Sequence, residues 1–238
     1  MRARSVLIGV QARTNSTRLP NKANLQLAGK ALIEHVMDNC IKASDYLNRN
    51  FNRYSTTVNT AMLIPGGDKL GDKYGDKYRV FDFPDTPEWD VLSRYYHAKR
   101  SENADYVVRI TGDCVFTAPY LVSRCVKAAL FGGHDYVSNV LIRTFREGMD
   151  VEVISSRLMD WLNEHAKAND AREHVTSLLQ MRGAVPRHMR FCHVLNDVDD
   201  SDRKTSIDTK EDFDRAAGEF DSLRSKSRQA TANGDSIS

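Results

Sequence analysis

Short β-branched runs and helically spaced apolar stripes alternate along this chain. Residues 6–10 (Val6, Leu7, Ile8, Gly9, Val10) form an apolar run that stops at Gln11, the pattern of a strand buried on both faces. A polar, cationic loop follows over 12–22. Apolar residues then recur at Leu32, Ile33, Val36, Met37, Cys40 and Ile41, which is helical spacing. Further strands are predicted at 57–64, 80–83, 106–111, 150–154 and 190–195. Helices are predicted over 119–131, 156–167 and 171–182. Another is predicted from Thr86, with Thr86 as N-cap and Pro87 in the first helical position. Asp170 and Glu173 read as a capping-box relative, and Thr209 with Asp212 as a capping box for a last helix. Beyond Ser222 the chain loses periodicity, which predicts one folded domain over 1–221 and a disordered tail over 222–238.

This alternation predicts an α/β fold, a mainly parallel sheet covered on both faces. Such sheets bind ligands beyond the carboxyl ends of their strands. The loop after Gln11 and the Gly112-Asp113 turn both fall at such ends.

Composition narrows the field. A hydrophobic fraction of 41% with 28% charged residues is ordinary for a globular protein. The net charge of +2 gives no global case for nucleic acid or an anionic membrane, so any anion site must be local. No run approaches the roughly 20 apolar residues of a membrane span, and the apolar stretch at 5–10 is too short for a secretion signal. A cytoplasmic protein is expected. Cys40, Cys114, Cys125 and Cys192 are scattered and the histidines lack metal spacing, which argues for reduced thiols and against zinc. A Gly-Asp-Lys repeat over 67–78 matches no phosphate-loop pattern and reads as a solvated loop or frayed helix.

The chemistry concentrates at the predicted strand ends. Arg13, Arg18 and Lys22 crowd one loop beside Asn15, Ser16 and Thr17. Guanidinium forks and a lysine point charge suit phosphate oxygens; a solvated basic turn is the alternative. Asp113 and Asp208 each read either as a magnesium ligand or as a turn aspartate.

The stretch Gln11-Ala12-Arg13-Thr14-Asn15-Ser16-Thr17-Arg18-Leu19-Pro20-Asn21-Lys22 resembles the signature loop of the cytidylyltransferase family, especially its spore-coat polysaccharide branch. That family includes 3-deoxy-manno-octulosonate and acylneuraminate cytidylyltransferases. Blocks at 90–95, 107–114, 135–139, 148–153, 172–176 and 207–212 continue the resemblance over roughly 6–220. It implies a nucleotide-diphosphosugar transferase fold, a Rossmann-like three-layer sandwich with a mixed, mainly parallel sheet. It further implies CTP and a sugar, which is expected to be acidic, as substrates, magnesium as cofactor and a homodimer. By the same resemblance Ala12, Arg13, Asn15, Ser16, Arg18, Lys22 and Arg109 would hold the nucleotide. Asp113 and Asp208 would bind the metal, and Arg13, Lys22, Asp113 and Asp208 would carry catalysis. Asn139, Asp150, Glu152 and His174 would face the sugar. The implied reaction is attack of a sugar hydroxyl on the α-phosphorus of CTP. A glycosyltransferase consuming a nucleotide-sugar on the same fold, or a non-catalytic nucleotide- or sugar-binding relative, are the alternatives. The family has glycine where this chain has Asn15 and Asn21, and proline with an acidic residue after Cys114 where this chain has Val115 and Phe116.

Overall fold

The computed structural model describes residues 3–51, 55–181 and 184–232. Its centre is a seven-stranded sheet ordered β5-β4-β1-β6-β8-β7-β9. The strands are β1 (Arg4–Gln11), β4 (Thr56–Pro65), β5 (Val80–Phe83), β6 (Tyr106–Thr111), β7 (Tyr136–Ser138), β8 (Glu152–Ser155) and β9 (Phe191–His193). Two short strands, β2 (Gln26–Leu27) and β3 (Lys30–Ala31), pair separately as a hairpin. Within the large sheet only β8 runs antiparallel to its neighbours β6 and β7; the other pairings are parallel. The sheet is therefore mixed and mainly parallel.

Helices cover both faces and complete a Rossmann-like three-layer sandwich. The strand alternation decides which side chain goes where. Val6, Ile8 and Val10 point into one core with α1 (Leu32–Phe51) and α4 (Pro119–Gly132). Leu7 and Val107 point into the other with α3 (Val91–Ser101) and α5 (Ser156–His165). In α1 the buried positions Leu32, Ile33, Val36, Met37, Cys40, Ala43 and Leu47 trace one helical stripe.

Several local expectations are corrected. The helix expected from Thr86 begins at Val91, because Asp90 is the cap: its carboxylate accepts from Ser93 N at 3.0 Å and Ser93 Oγ at 2.9 Å. The helix expected over 171–182 is broken into α6 (Asn169–Glu173) and a 3-10 turn, Ser177–Gln180, with Val175 at φ 52 between them. No side chain caps α6, so the Asp170–Glu173 box does not form. Tertiary docking overrides the pattern here. Arg172 reaches the cap of α3, bonding Asp90 Oδ2 at 2.9 Å and Ser93 Oγ at 2.5 Å.

Of the two readings of the Gly-Asp-Lys repeat, the short helix rather than the solvated loop is the one found. Its four-residue period buries Leu70, Tyr74 and Tyr78 along one side, partly within α2 (Leu70–Tyr74). The last helix, α7 (Lys210–Ala232), runs through residues 222–232, where a disordered tail was expected. No glycine or proline interrupts the chain between Gly218 and Ala232, so a helix once begun propagates. Residues 233–238 lie outside the described residues. No described helix is long and apolar enough to cross a membrane.

Candidate active site

Strands β1 and β6 lie side by side with Gln11 opposite Thr111, and the chain leaves the sheet at both points. The loop after β1 and the Gly112-Asp113 turn after β6 therefore face each other across a cleft of about 420 Å³. Gly112 N bonds Gln11 O at 2.9 Å, which locks the two exits together. Thr14 N donates to Asp68 Oδ2 at 2.7 Å, so the residue that opens the repeat also shapes the cationic loop.

The decisive geometry is centred on Lys22. Its ammonium lies 2.9 Å from Asp113 Oδ2 and 3.3 Å from Asp208 Oδ1. Arg18 Nη2 adds a third cationic contact, 3.0 Å from Asp208 Oδ1. Asp208 reaches this place because the preceding segment is clamped. Thr205 N donates to Glu147 O at 2.7 Å and Ile207 N to Asp113 O at 3.3 Å. The clamp requires Gly148, at φ +94, because a Cβ there would lie 2.1 Å from Ser206 N. Burial alone would raise the Asp113 carboxyl, but the Lys22 charge and hydrogen bonds from Thr111 and Lys22 outweigh it. The pKa of Asp113 is held below the ordinary carboxylate value.

A family model described as cytidylyltransferase matches residues 7–48, which include the second part of β1, the cationic loop and most of α1. An uncharacterised protein of Methanocaldococcus jannaschii is 32% identical over 173 residues, 71% of this chain. The match spans 65% of that relative, just under two thirds of its length. The spore coat polysaccharide biosynthesis protein SpsF of Bacillus subtilis is 27% identical over 216 residues, 88% of this chain and 83% of its own. Among solved structures, a cytidylyltransferase from Leptospira borgpetersenii superposes with a TM-score of 0.72 at 24% identity, covering 91% of this chain and 86% of that one. Over residues 7–48 the chain is similar to the cytidylyltransferase family. Its fold is the one that the solved cytidylyltransferase adopts.

Within this cleft the structure gathers Ala12, Arg13, Ser16, Arg18, Lys22, Arg109, Asp113, His174 and Asp208. Arg13 stands at the lip, 2.9 Å from Glu88 Oε1, and Asn15 lies beside it with Nδ2 3.4 Å from Glu88 Oε2. His174 is exposed and 3.3 Å from Asp170 Oδ1.

Three residues expected at the sugar are not among those lining the cleft. Asn139 is fully buried: its amide donates to Met149 O at 2.9 Å and accepts from Val151 N at 2.8 Å, pinning the strand that leads into β8. Asp150 forms a two-pronged pair with Arg143, at 2.7 and 3.1 Å. Glu152 sits across the β6–β8 ladder from Arg109 and accepts from its Nη1 at 3.0 Å. Its contribution to the site comes through Arg109. Burial disfavours the Arg109 cation, yet the Glu152 carboxylate outweighs this and leaves its pKa above the ordinary value.

The asparagine at 21 is accounted for. Asn21 adopts φ 55 and ψ 30, the left-handed region where glycine is at ease and asparagine is the best-tolerated substitute. Sequence reasoning passed over Gln11, Arg94 and Glu173 as site residues; all three line the cleft. Arg94 reads as one polar position of an amphipathic helix, and only the docking of α3 against the sheet turns it inward.

Proposed function

We propose that this chain transfers the cytidylyl group of CTP to a sugar hydroxyl and releases pyrophosphate. One observation supports the reading above the others: two carboxylates, Asp113 and Asp208, converge on a single cation, the Lys22 ammonium, opposite Arg13 and Arg18. The family description supplies the nucleotide, and the spore coat relative's name supplies the saccharide class.

In the proposed step the sugar oxygen bonds to the α-phosphorus while the bond from that phosphorus to the bridging oxygen breaks. Pyrophosphate leaves with the electron pair, and the hydroxyl proton passes to solvent. The chain supplies no covalent nucleophile; its part is positioning and charge stabilisation. Arg13, Arg18 and Lys22 hold phosphate oxygens and keep the leaving group in line. Asp113 and Asp208 fit a divalent cation of the magnesium type, which takes one or two carboxylates and completes its shell with phosphate oxygens and water. Bound there, such an ion would neutralise charge on the phosphates. An acidic sugar and a homodimer belong to the same proposal.

The test is pyrophosphate release from CTP with magnesium and a panel of neutral and acidic sugars. Asp113→Asn is expected to lower turnover by about 100-fold or more while the melting curve stays that of the folded protein. Pyrophosphate release undiminished in Asp113→Asn would overturn the assignment. A nucleotide-sugar consumed without pyrophosphate would point to the glycosyltransferase alternative.

A further inference from the structure

Buried polar atoms in a folded protein are nearly always hydrogen-bonded, so those left over call for an explanation. Among the described residues seven buried side-chain polar atoms have no partner. Three of them, Gln11 Oε1, Arg94 Nε and Arg109 Nε, belong to residues lining this one cleft. The phosphate-binding groups do not account for them. Arg13 and Arg18 stand at the exposed rim, with side chains 40% and 69% exposed, whereas Arg94 is 2% exposed at the floor.

Arg94 is the most telling of the three. Among the described residues no carboxylate bonds its guanidinium, which donates from Nη2 to the Glu88 carbonyl at 3.0 Å. A cation kept in a buried position without an anionic partner is costly. Its Nε–H is left without an acceptor. Gln11 comes from the end of β1 on the same face of the sheet, two residues beyond Gly9, whose Cα faces the Tyr95 ring of α3. Its carboxamide oxygen is likewise left without a donor, in a residue that lines the same cleft.

We infer that Arg94 and Gln11 read the base of the nucleotide, with Arg94 as the residue that selects cytosine over uracil. This rests on the reading of the cleft as a nucleoside triphosphate site. Cytosine presents O2 and N3 as neighbouring acceptors and the N4 amino group as a donor. The Arg94 fork takes the first two, as arginine takes O6 and N7 of guanine, and Gln11 Oε1 accepts from the third. Uracil presents N3–H in the middle of its edge, so a donor meets a donor. Gln11 can rotate its amide to suit either base, and selectivity therefore lies with Arg94. Ala12 and Val91 supply aliphatic surface beside the same floor. Glu88 links the two ends of the ligand: its carbonyl covers Arg94 while its carboxylate holds Arg13. A triphosphate that draws Arg13 away from Glu88 loosens the cover over Arg94.

The test is calorimetric binding of CTP, UTP and 3-deaza-CTP, in which N3 is replaced by C–H, to the wild-type chain and to Arg94→Lys and Arg94→Met. Wild type is expected to bind CTP roughly tenfold or more tightly than UTP, and 3-deaza-CTP with a loss of similar size. Both variants should bring the CTP and UTP affinities within about threefold of each other. The 3-deaza measurement needs no substitution, so it decides the matter even if neither variant folds. A CTP to UTP ratio unchanged in folded variants, or 3-deaza-CTP bound as tightly as CTP, overturns the inference alone. An unchanged ratio with a raised KM for the sugar would assign the floor to the sugar instead. Failure of every nucleoside triphosphate to bind would overturn the proposed function as well.

Discussion

At the scale of single residues, the cationic loop shows how a local conformation can stand in for a glycine. Asn21 lies in the left-handed region and is held there in part by Asn24 Nδ2, which donates to Asn21 Oδ1 at 2.7 Å. It immediately precedes Lys22, so its backbone sets where the ammonium points. A β-branched side chain at φ 55 costs about 1–2 kcal/mol more than asparagine. Asn21→Val is therefore expected to lower unfolding free energy by about that amount and to weaken triphosphate binding, whereas Asn21→Gly should leave both nearly unchanged. Urea denaturation with calorimetric titration of nucleotide checks the pair; equal behaviour of the two variants would remove the argument. The cations of this loop were readable in the sequence because they fall within one short segment, 13–22. Arg94 and Gln11 were not, because their significance depends on which face of the fold buries them.

At the scale of elements, caps and tertiary docking decide where helices start and stop. The Thr209–Asp212 box forms as the spacing predicts: Asp212 N donates to Thr209 Oγ1 at 3.2 Å and Thr209 N to Asp212 Oδ2 at 3.1 Å. Lys204 and Arg215 also hold Asp212, at 3.0 and 2.6 Å. Burial alone would raise the Asp212 carboxyl, but the bonds from Arg215, Lys204 and the backbone N–H groups of Asp208 and Thr209 outweigh it and keep the pKa well below the ordinary value. A depressed folded-state value stabilises the native protein above the unfolded value of about 4. That contribution fades as pH falls below about 4. Asp212→Asn should cost about 1 kcal/mol at neutral pH, and its deficit against wild type should shrink in acid. Thermal melts from pH 7 to pH 3 measure both, and a deficit that does not change with pH would sink the account. Where the expectations failed, as with the Thr86 start and the 171–182 helix, a distant partner had intervened. Arg172 binds Asp90, far away in sequence, and no window of neighbouring residues contains that contact.

At the scale of the whole molecule, alternation of strands and helices was enough to foresee the layered fold, and the cleft opens at the strand ends. The meeting of Asp113 with Asp208 was not foreseeable from spacing, since it depends on the Glu147–Thr205 clamp and on Gly148. The reversed direction of β8 was equally hidden. It places Glu152 directly across from Arg109, which turns an expected sugar ligand into the buried counter-ion of a cleft residue.

The double contact of Lys22 has a thermodynamic consequence. Its ammonium is shared between two acids, yet the proposed function assigns the same ammonium to the triphosphate. Whatever draws it toward phosphate removes one cation from each acid, leaving Asp208 with Arg18 and Lys204, and an ion settling on the acids would release it toward phosphate. Metal and nucleotide should thus promote each other's binding by one common factor, since linkage is reciprocal, in the range of about 5–150-fold. Manganese titrations with and without a non-hydrolysable CTP analogue give one side of that cycle, and analogue titrations with and without manganese give the other. Lys22→Met should bind manganese alone more tightly than wild type and lose most of the mutual enhancement; a variant that binds manganese alone more weakly would show that Lys22 is no rival of the metal.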